Sequence, residues 1–188
     1  MNNLELIEKE ETNRCKFRLV KDTDEKDIFE ILSDEDVITN LNMDIHKSIL
    51  DTRQMLKDYK KEFINGNKLP LAIISKDTNE FIGVFLIKLD LYNEDAFECT
   101  VYLKKKFWNK GIYSEILPSM IKFAFEVIQT KNFRGYVMEK NKPSSKGLEK
   151  NGFKLEKIFN VPGIDEKIYS YLMTLEMYER NGRKIKFN

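Results

Sequence analysis

The patterned part of the chain opens with alternating apolar and polar positions. In CKFRLV (15–20), Cys15, Phe17 and Leu19 share one face, the period of a half-buried strand. The period then lengthens. Thr23 is placed to cap a helix whose first turn holds Asp24 and Glu25, where negative charge suits the helix dipole, and Ile28, Ile31 and Leu32 form its apolar stripe. Ser33 to Met43 reads as a second short helix or loop. Ser48 and Asp51 have capping-box spacing, and Ile49, Leu56, Tyr59 and Phe63 recur at helical spacing until Asn65-Gly66.

From residue 69 the period shortens again. LPLAIIS, a polar turn at 77–80 and FIGVFLIKLD read as a β-hairpin, with AFECTVYL (96–103) as a further strand. GIYSEILPSMIKFAFEVI (111–128) is apolar around most of a helical circumference, so a mostly buried helix is expected, bent at Pro118 because proline lacks the N–H. FRGYVMEK (133–140) is another strand, followed by a short helix from Pro143 to Lys150 that Asn151-Gly152 closes. Segments 153–159 and 168–179 complete the order as two strands, and residues 1–14 read as an extension or short first strand. Locally paired strands followed by two βα units predict an α/β domain spanning 1–188, with a mixed sheet and helices on both faces.

Charge and rare residues narrow the function. The 32 basic and 31 acidic side chains nearly cancel, which argues against a dedicated nucleic-acid binder. Cys15 and Cys99 are too few for a disulfide framework and read as reduced core thiols. No leader-like segment opens the sequence and no apolar run approaches the ~18 residues of a membrane span. A cytoplasmic protein without a membrane partner is therefore expected. His46 is the single histidine and no Cys/His cluster has zinc spacing, so neither a Ser-His-Asp triad nor a metal site is expected.

Candidate chemistry concentrates at LKKKFWNKGIYSE (103–115), where a strand passes through a short loop into a helix at Gly111. Unpaired N–H groups at a helix start favour an anion, most naturally a phosphate. Lys104, Lys105, Lys106 and Lys110 surround this point, although a lysine run also describes a solvated turn.

Four segments, in order, carry a resemblance to a known family: FRLVKDTDEKDIFEILSDEDVITNL (17–41), EFIGVFLIKL (80–89), WNKGIYSE (108–115) and NKPSSKGLEKNGF (141–153). The chain resembles the GNAT N-acetyltransferases over about residues 15–178, in the branch containing ribosomal-protein N-terminal and polyamine acetyltransferases. The resemblance implies a mixed, mostly antiparallel sheet splayed at its middle. It also implies acetyl-CoA as co-substrate, a primary amine as acceptor (protein N-terminal α-amine first, small cationic amine second) and a possible homodimer. On the same basis, backbone near Val101 and Leu103 would hold the acetyl-pantetheine arm. Backbone N–H groups of Asn109, Lys110, Gly111, Ile112, Tyr113 and Ser114 would hold the pyrophosphate, with Trp108 supporting the loop and Asn141 orienting the pantetheine.

Glu98 is the candidate base, the alternative being a solvent-facing strand glutamate. Ser144 is the candidate acid for the departing thiolate, the alternative being a helix cap. Asp34, Glu35, Asp36 and Asp44 are candidates for the acceptor cleft, or simply a charged helix face. Asn109 stands where the family has glycine, and Tyr113 where it has glycine or alanine. These departures favour the alternative of an acyl-CoA-binding or regulatory module without transferase activity.

Overall fold

The structure, a computed structural model, describes residues 10–41, 43–90, 93–163 and 165–182. One seven-stranded sheet contains β1 (Cys15–Leu19), β2 (Lys68–Ser75), β3 (Phe81–Asp90), β4 (Asn93–Leu103), β5 (Asn132–Met138), β6 (Lys154–Asn160) and β7 (Lys167–Thr174), in the order β1-β2-β3-β4-β5-β7-β6. Neighbours run antiparallel except β4 and β5, whose parallel pairing covers only Ala96–Cys99 against Asn132–Gly135. Past that point β4 stays with β3 and β5 with β7, so the sheet splits between Thr100–Leu103 and Tyr136–Met138.

The helices are α1 (Glu25–Leu32), α2 (Glu35–Ile38), α3 (Ile49–Ile64), α4 (Ile112–Phe123), α5 (Lys142–Lys150) and α6 (Leu175–Gly182). On one face, Ile28, Ile31 and Leu32 of α1 and Leu56 and Tyr59 of α3 bury Ala72, Val84, Leu86 and Tyr102. On the other, Ile116, Leu117 and Met120 of α4 and Leu148 of α5 bury Phe17, Ile73, Phe85 and Phe133. Each fully buried aliphatic or aromatic side chain contributes about 1.5–3 kcal/mol, so both layers hold the split sheet from outside. The expected mixed, mostly antiparallel sheet with helices on both faces is the one observed.

Four local expectations meet the structure with different results. Ser48 and Asp51 do begin α3: the Lys47 and Ser48 N–H groups both donate to Asp51 Oδ2 at 2.8 Å. Thr23 does not cap α1. Asp24 occupies the N-cap position without a side-chain bond to the helix; its carboxylate instead accepts the Lys21 N–H at 2.8 Å and both terminal nitrogens of Arg18 at 2.7 and 2.8 Å. The helix expected to bend at Pro118 runs through it to Phe123 and departs from regular winding at Ala124–Ile128, a π-turn. The single strand expected over 168–179 ends at Thr174, because the Thr174 hydroxyl accepts the Met177 N–H at 3.2 Å and starts α6. Tyr178 of α6 then stacks on Phe125 with ring centroids 4.7 Å apart.

Of the first fourteen residues, 1–9 lie outside the described residues, and Glu11 forms an isolated bridge with Lys16. Among the described residues, no helix is long and apolar enough to cross a membrane.

Candidate active site

A cavity of about 660 Å³ occupies the split between β4 and β5. Side chains alternate across a strand, so β4 presents Val101 and Leu103 with the α4 layer, and Glu98 and Tyr102 with the α3 layer. All four line the cavity, together with Ile112 of α4 and Tyr59 of α3. The cavity therefore passes through the sheet and connects its two faces.

One end is built from backbone. After β4, Lys105–Phe107 forms a tight turn, and Asn109 and Gly111 both adopt left-handed conformations, with φ of 58° and 75°. Asparagine tolerates this region better than any other side chain except glycine's hydrogen, so Asn109 keeps the conformation that a glycine would supply. Gly111 is the N-cap of α4, and the N–H groups of Ile112, Tyr113 and Ser114 in its first turn are left for an outside acceptor. The Trp108 indole donates to Leu103 O at 3.1 Å and packs against both hydrophobic layers, which fixes the loop to the strand it leaves.

The lysine run is largely occupied. Lys104 is buried and bonded to Asp27 and Glu30 at 2.7 and 2.6 Å, Lys105 pairs with Asp36, and Lys106 pairs with Glu80. Lys110 lies 5.7 Å over the Phe107 ring. Arg14, which the sequence did not single out, clasps the loop from outside: its Nε donates to Glu115 at 2.5 Å and its Nη1 to Lys110 O at 2.9 Å.

Tyr113 does not stand across the loop. Its ring lies against Gly147 of α5, where a Cβ would come within 2.4 Å of it, and Tyr113 and Ser144 both line the cavity. Burial pushes the Tyr113 hydroxyl well above the ordinary tyrosine range, so it remains protonated. Ser144 is not the cap of α5. Asn141 has that role, accepting the Ser144 N–H at 3.3 Å while its own amide donates to Asn40 O at 3.4 Å.

At the other end Glu98 is 6% exposed rather than solvent-facing, and pairs with Lys88 on the adjacent strand. Burial raises its carboxyl above the ordinary glutamate value; Lys88 pulls in the opposite direction, and Asp90 adds to the rise. Beside it, the Tyr136 hydroxyl donates to the buried Asp90 carboxylate at 2.9 and 3.0 Å, and Arg134 joins Glu156 at 2.9 Å to Asp90 at 3.4 Å. Cys99 also lines the cavity, with its thiol pushed up to about 12 by burial, so it stays an unreactive thiol at neutral pH.

The cavity brings together Glu98, Val101, Leu103, Trp108, Asn109, Gly111, Ile112, Tyr113, Ser114, Asn141 and Ser144. It does not include Lys110, whose carbonyl faces Arg14. Nor does it include the acidic run: Asp34 caps α2, Asp36 pairs with Lys105, and Glu35 is exposed. Asp44 lines a second cavity of about 560 Å³ with Lys140, Asp165 and Glu166, next to the first through Leu41, Met43 and Met138. Sequence reading missed Lys68, Lys88 and Tyr136, which become neighbours of Glu98 only once strand register is known. No group of acidic, His and Cys side chains able to hold a metal occurs among the described residues.

Residues 14–154 match the model of the acetyltransferase (GNAT) domain, and the chain belongs to that family of acetyltransferases. It is 22% identical over 172 residues to the uncharacterized N-acetyltransferase YoaA of Bacillus subtilis (strain 168), across 88% of this chain and 97% of the relative. Among solved structures it resembles the spermidine N-acetyltransferase from Vibrio cholerae in complex with CoA and spermine, with a TM-score of 0.76 at 14% identity, covering 88% of this chain and 98% of that one. It also resembles RimL, the ribosomal L7/L12 alpha-N-protein acetyltransferase in complex with coenzyme A, with a TM-score of 0.75 at 16% identity, covering 88% and 97%. At these identities the two structures speak for the fold, which is the splayed sheet described above.

Proposed function

We propose that the protein transfers the acetyl group of acetyl-CoA to a primary amine, with protein N-terminal α-amines as the preferred acceptors. The observation that carries this reading is the parting of β4 from β5 beyond Cys99 and Gly135, which opens a passage from the free N–H groups of α4 to the buried carboxylate of Glu98. The pyrophosphate would rest on the N–H groups of Ile112, Tyr113 and Ser114, and the pantetheine arm would extend β4 where β5 has left it. The Leu103 carbonyl already accepts from Trp108, so Val101 is the better placed backbone partner. The donor's acetyl group would then lie near Glu98.

An amine arrives as an ammonium, and Glu98 would take its first proton. A carboxylate whose pKa is raised by burial is a stronger base than an ordinary one, which suits this task. The freed nitrogen attacks the thioester carbonyl, the C–N bond forms and the C–S bond breaks. The thiolate takes a proton from the Ser144 hydroxyl, which lines the same cavity, and Ser144 is restored by the second proton leaving the nitrogen.

A second acceptor class, small cationic amines, is favoured by the neighbouring cavity with Asp44, Asp165 and Glu166. Isothermal titration with acetyl-CoA and with CoA, followed by a CoA-release assay with an N-terminal peptide and with spermidine, tests the reading. Heat with both acetyl-CoA and CoA, and turnover of the peptide, is expected. Absence of donor binding would overturn the transferase reading in favour of a GNAT-fold module with another role.

A further inference from the structure

We propose that the acceptor carries an anionic group, a carboxylate or a phosphate, close to its amine, and that Lys68 with Lys88 receives it. The proposal deepens the acetyl-transfer reading of the same cavity and rests on it for the position of the amine at Glu98.

The argument begins with register. Lys68 of β2 lies directly opposite Lys88 of β3, and Lys88 directly opposite Glu98 of β4, so the three side chains form a row on one face of the sheet. All three line the cavity, and they are the charged side chains on its wall among the described residues. Two like charges directly opposite each other on a sheet repel, and a row of two cations with one anion has net charge +1. Glu98 compensates Lys88. Lys68 is left with no carboxylate partner among the described residues, and its ammonium lies 5.7 Å from the centroid of the Tyr59 ring.

The donor's phosphates do not account for this charge. Glu98 precedes Leu103 by five positions on β4, which at about 3.3 Å per residue places the lysine row roughly 16 Å back along the strand from the loop that leads to α4. The cavity that holds the row is otherwise walled largely by apolar side chains, among them Leu41, Met55, Leu86 and Phe159, with the Tyr136–Asp90–Arg134 network beside Glu98. A chain bearing several ammonium groups would place a second cation against Lys68 in a partly desolvated site, where like charges interact strongly. An acceptor with one amine, an apolar body and one anionic group gives Lys68 the counter-charge that no carboxylate on the wall supplies. A free amino acid supplies that chemistry through its α-carboxylate, and a peptide N-terminus through an acidic side chain in its first residues.

The test uses the full chain with saturating acetyl-CoA and compares acceptors that differ in charge, with spermidine alongside: methionine against methioninamide, one charge apart, and a Met-Glu against a Met-Lys N-terminal peptide, two charges apart. The anionic member of at least one pair is expected to have a KM lower by about tenfold or more, the usual size of a charge-assisted contact, and the responding pair names the source. Lys68→Met should abolish that preference and Lys68→Glu should reverse it, each with acetyl-CoA affinity unchanged by titration. Absence of an anionic preference in both pairs, or preference for spermidine over every anionic acceptor, would overturn the proposal, as would an equal effect of Lys68→Met on both members of the responding pair.

Titration of the two N-acetylated peptides, as product analogues, separates this proposal from the transferase reading. If no acceptor turns over but the acidic peptide still binds in a Lys68-dependent way, the transferase reading falls and the charge assignment stands. If binding shows no charge preference, the charge assignment falls whatever the turnover.

Discussion

The two ends of the cavity are made of different material. At the α4 end the groups proposed to contact ligand are backbone N–H groups, held in place by two left-handed residues, a helix start and the Trp108 indole. At the Glu98 end they are side chains: a carboxylate and two lysines brought side by side by the register of three strands. Backbone sites depend on conformation and accept any residue that reaches it, as Asn109 does in the place of a glycine. Side-chain sites depend on identity, and a single change there alters the chemistry directly.

The largest effect that would test this contrast is at the side-chain end. Glu98→Gln is expected to lower kcat by roughly 10²–10⁴-fold, the usual contribution of a general base, with acetyl-CoA affinity little changed in a titration. Equal turnover would remove Glu98 from the chemistry and break the comparison at its stronger side. Because burial raises the Glu98 pKa, kcat/KM in the wild-type protein should rise with pH through a value above the ordinary 4.5 of a glutamate, since the carboxylate must be ionised to accept a proton. A pH–rate profile with no such acid limb would count against that assignment.

The backbone end should respond to conformation rather than identity. Gly111→Val forces a β-branched residue into φ 75°, a strain of about 1–3 kcal/mol, and should weaken acetyl-CoA binding by about five- to a hundred-fold. Asn109→Gly should change it by less than about twofold, since glycine reaches the same region freely. Loss of binding in Asn109→Gly would mean that the asparagine side chain itself touches the ligand. An effect below that of Gly111→Val is expected from Tyr113→Phe, which removes the hydroxyl while keeping the ring against Gly147. Turnover should fall by no more than about tenfold, with donor affinity retained.

The smallest effect concerns the segment that bounds the acceptor side. His46 bonds the buried Thr52 of α3 at 2.8 Å, and burial lowers its pKa below the ordinary 6.5. A histidine with a depressed folded pKa binds protons more readily when unfolded, so stability is full above about pH 6.5 and declines as pH falls below it. Thermal melts at pH 7 and pH 5 should show that decline, and His46→Gln should reduce it.

The same division explains what the sequence made legible. The α4 end depends on local chain geometry, so WNKGIYSE and the start of α4 could be found from a short window, and the succession of strands and helices along the chain followed from periodicity. The start of α6 was lost because Met177 and Tyr178 continue an apolar pattern, and only the Thr174 hydroxyl marks the change to helix. The Asp34–Asp36 run looked like a wall for a cation because its charge is visible in sequence, whereas its partner Lys105 lies across a long-range contact. Lys68, Lys88 and Glu98 are separated by 20 and 10 positions, and nothing local says that they form one row. Their charge becomes meaningful only when register is known.

Trp108 is the one tryptophan of the chain, and it joins the loop before α4 to both hydrophobic layers. The protein thus contains a single indole, which can be excited selectively over its eight tyrosines, at the junction of its cavity and its two cores. Ligand occupying the loop and loosening of either layer both change the surroundings of that one indole. Its emission can therefore follow a donor titration and an unfolding experiment in the unlabelled protein, and a variant that uncouples the loop from the sheet would be recognised by a spectrum before any rate is measured.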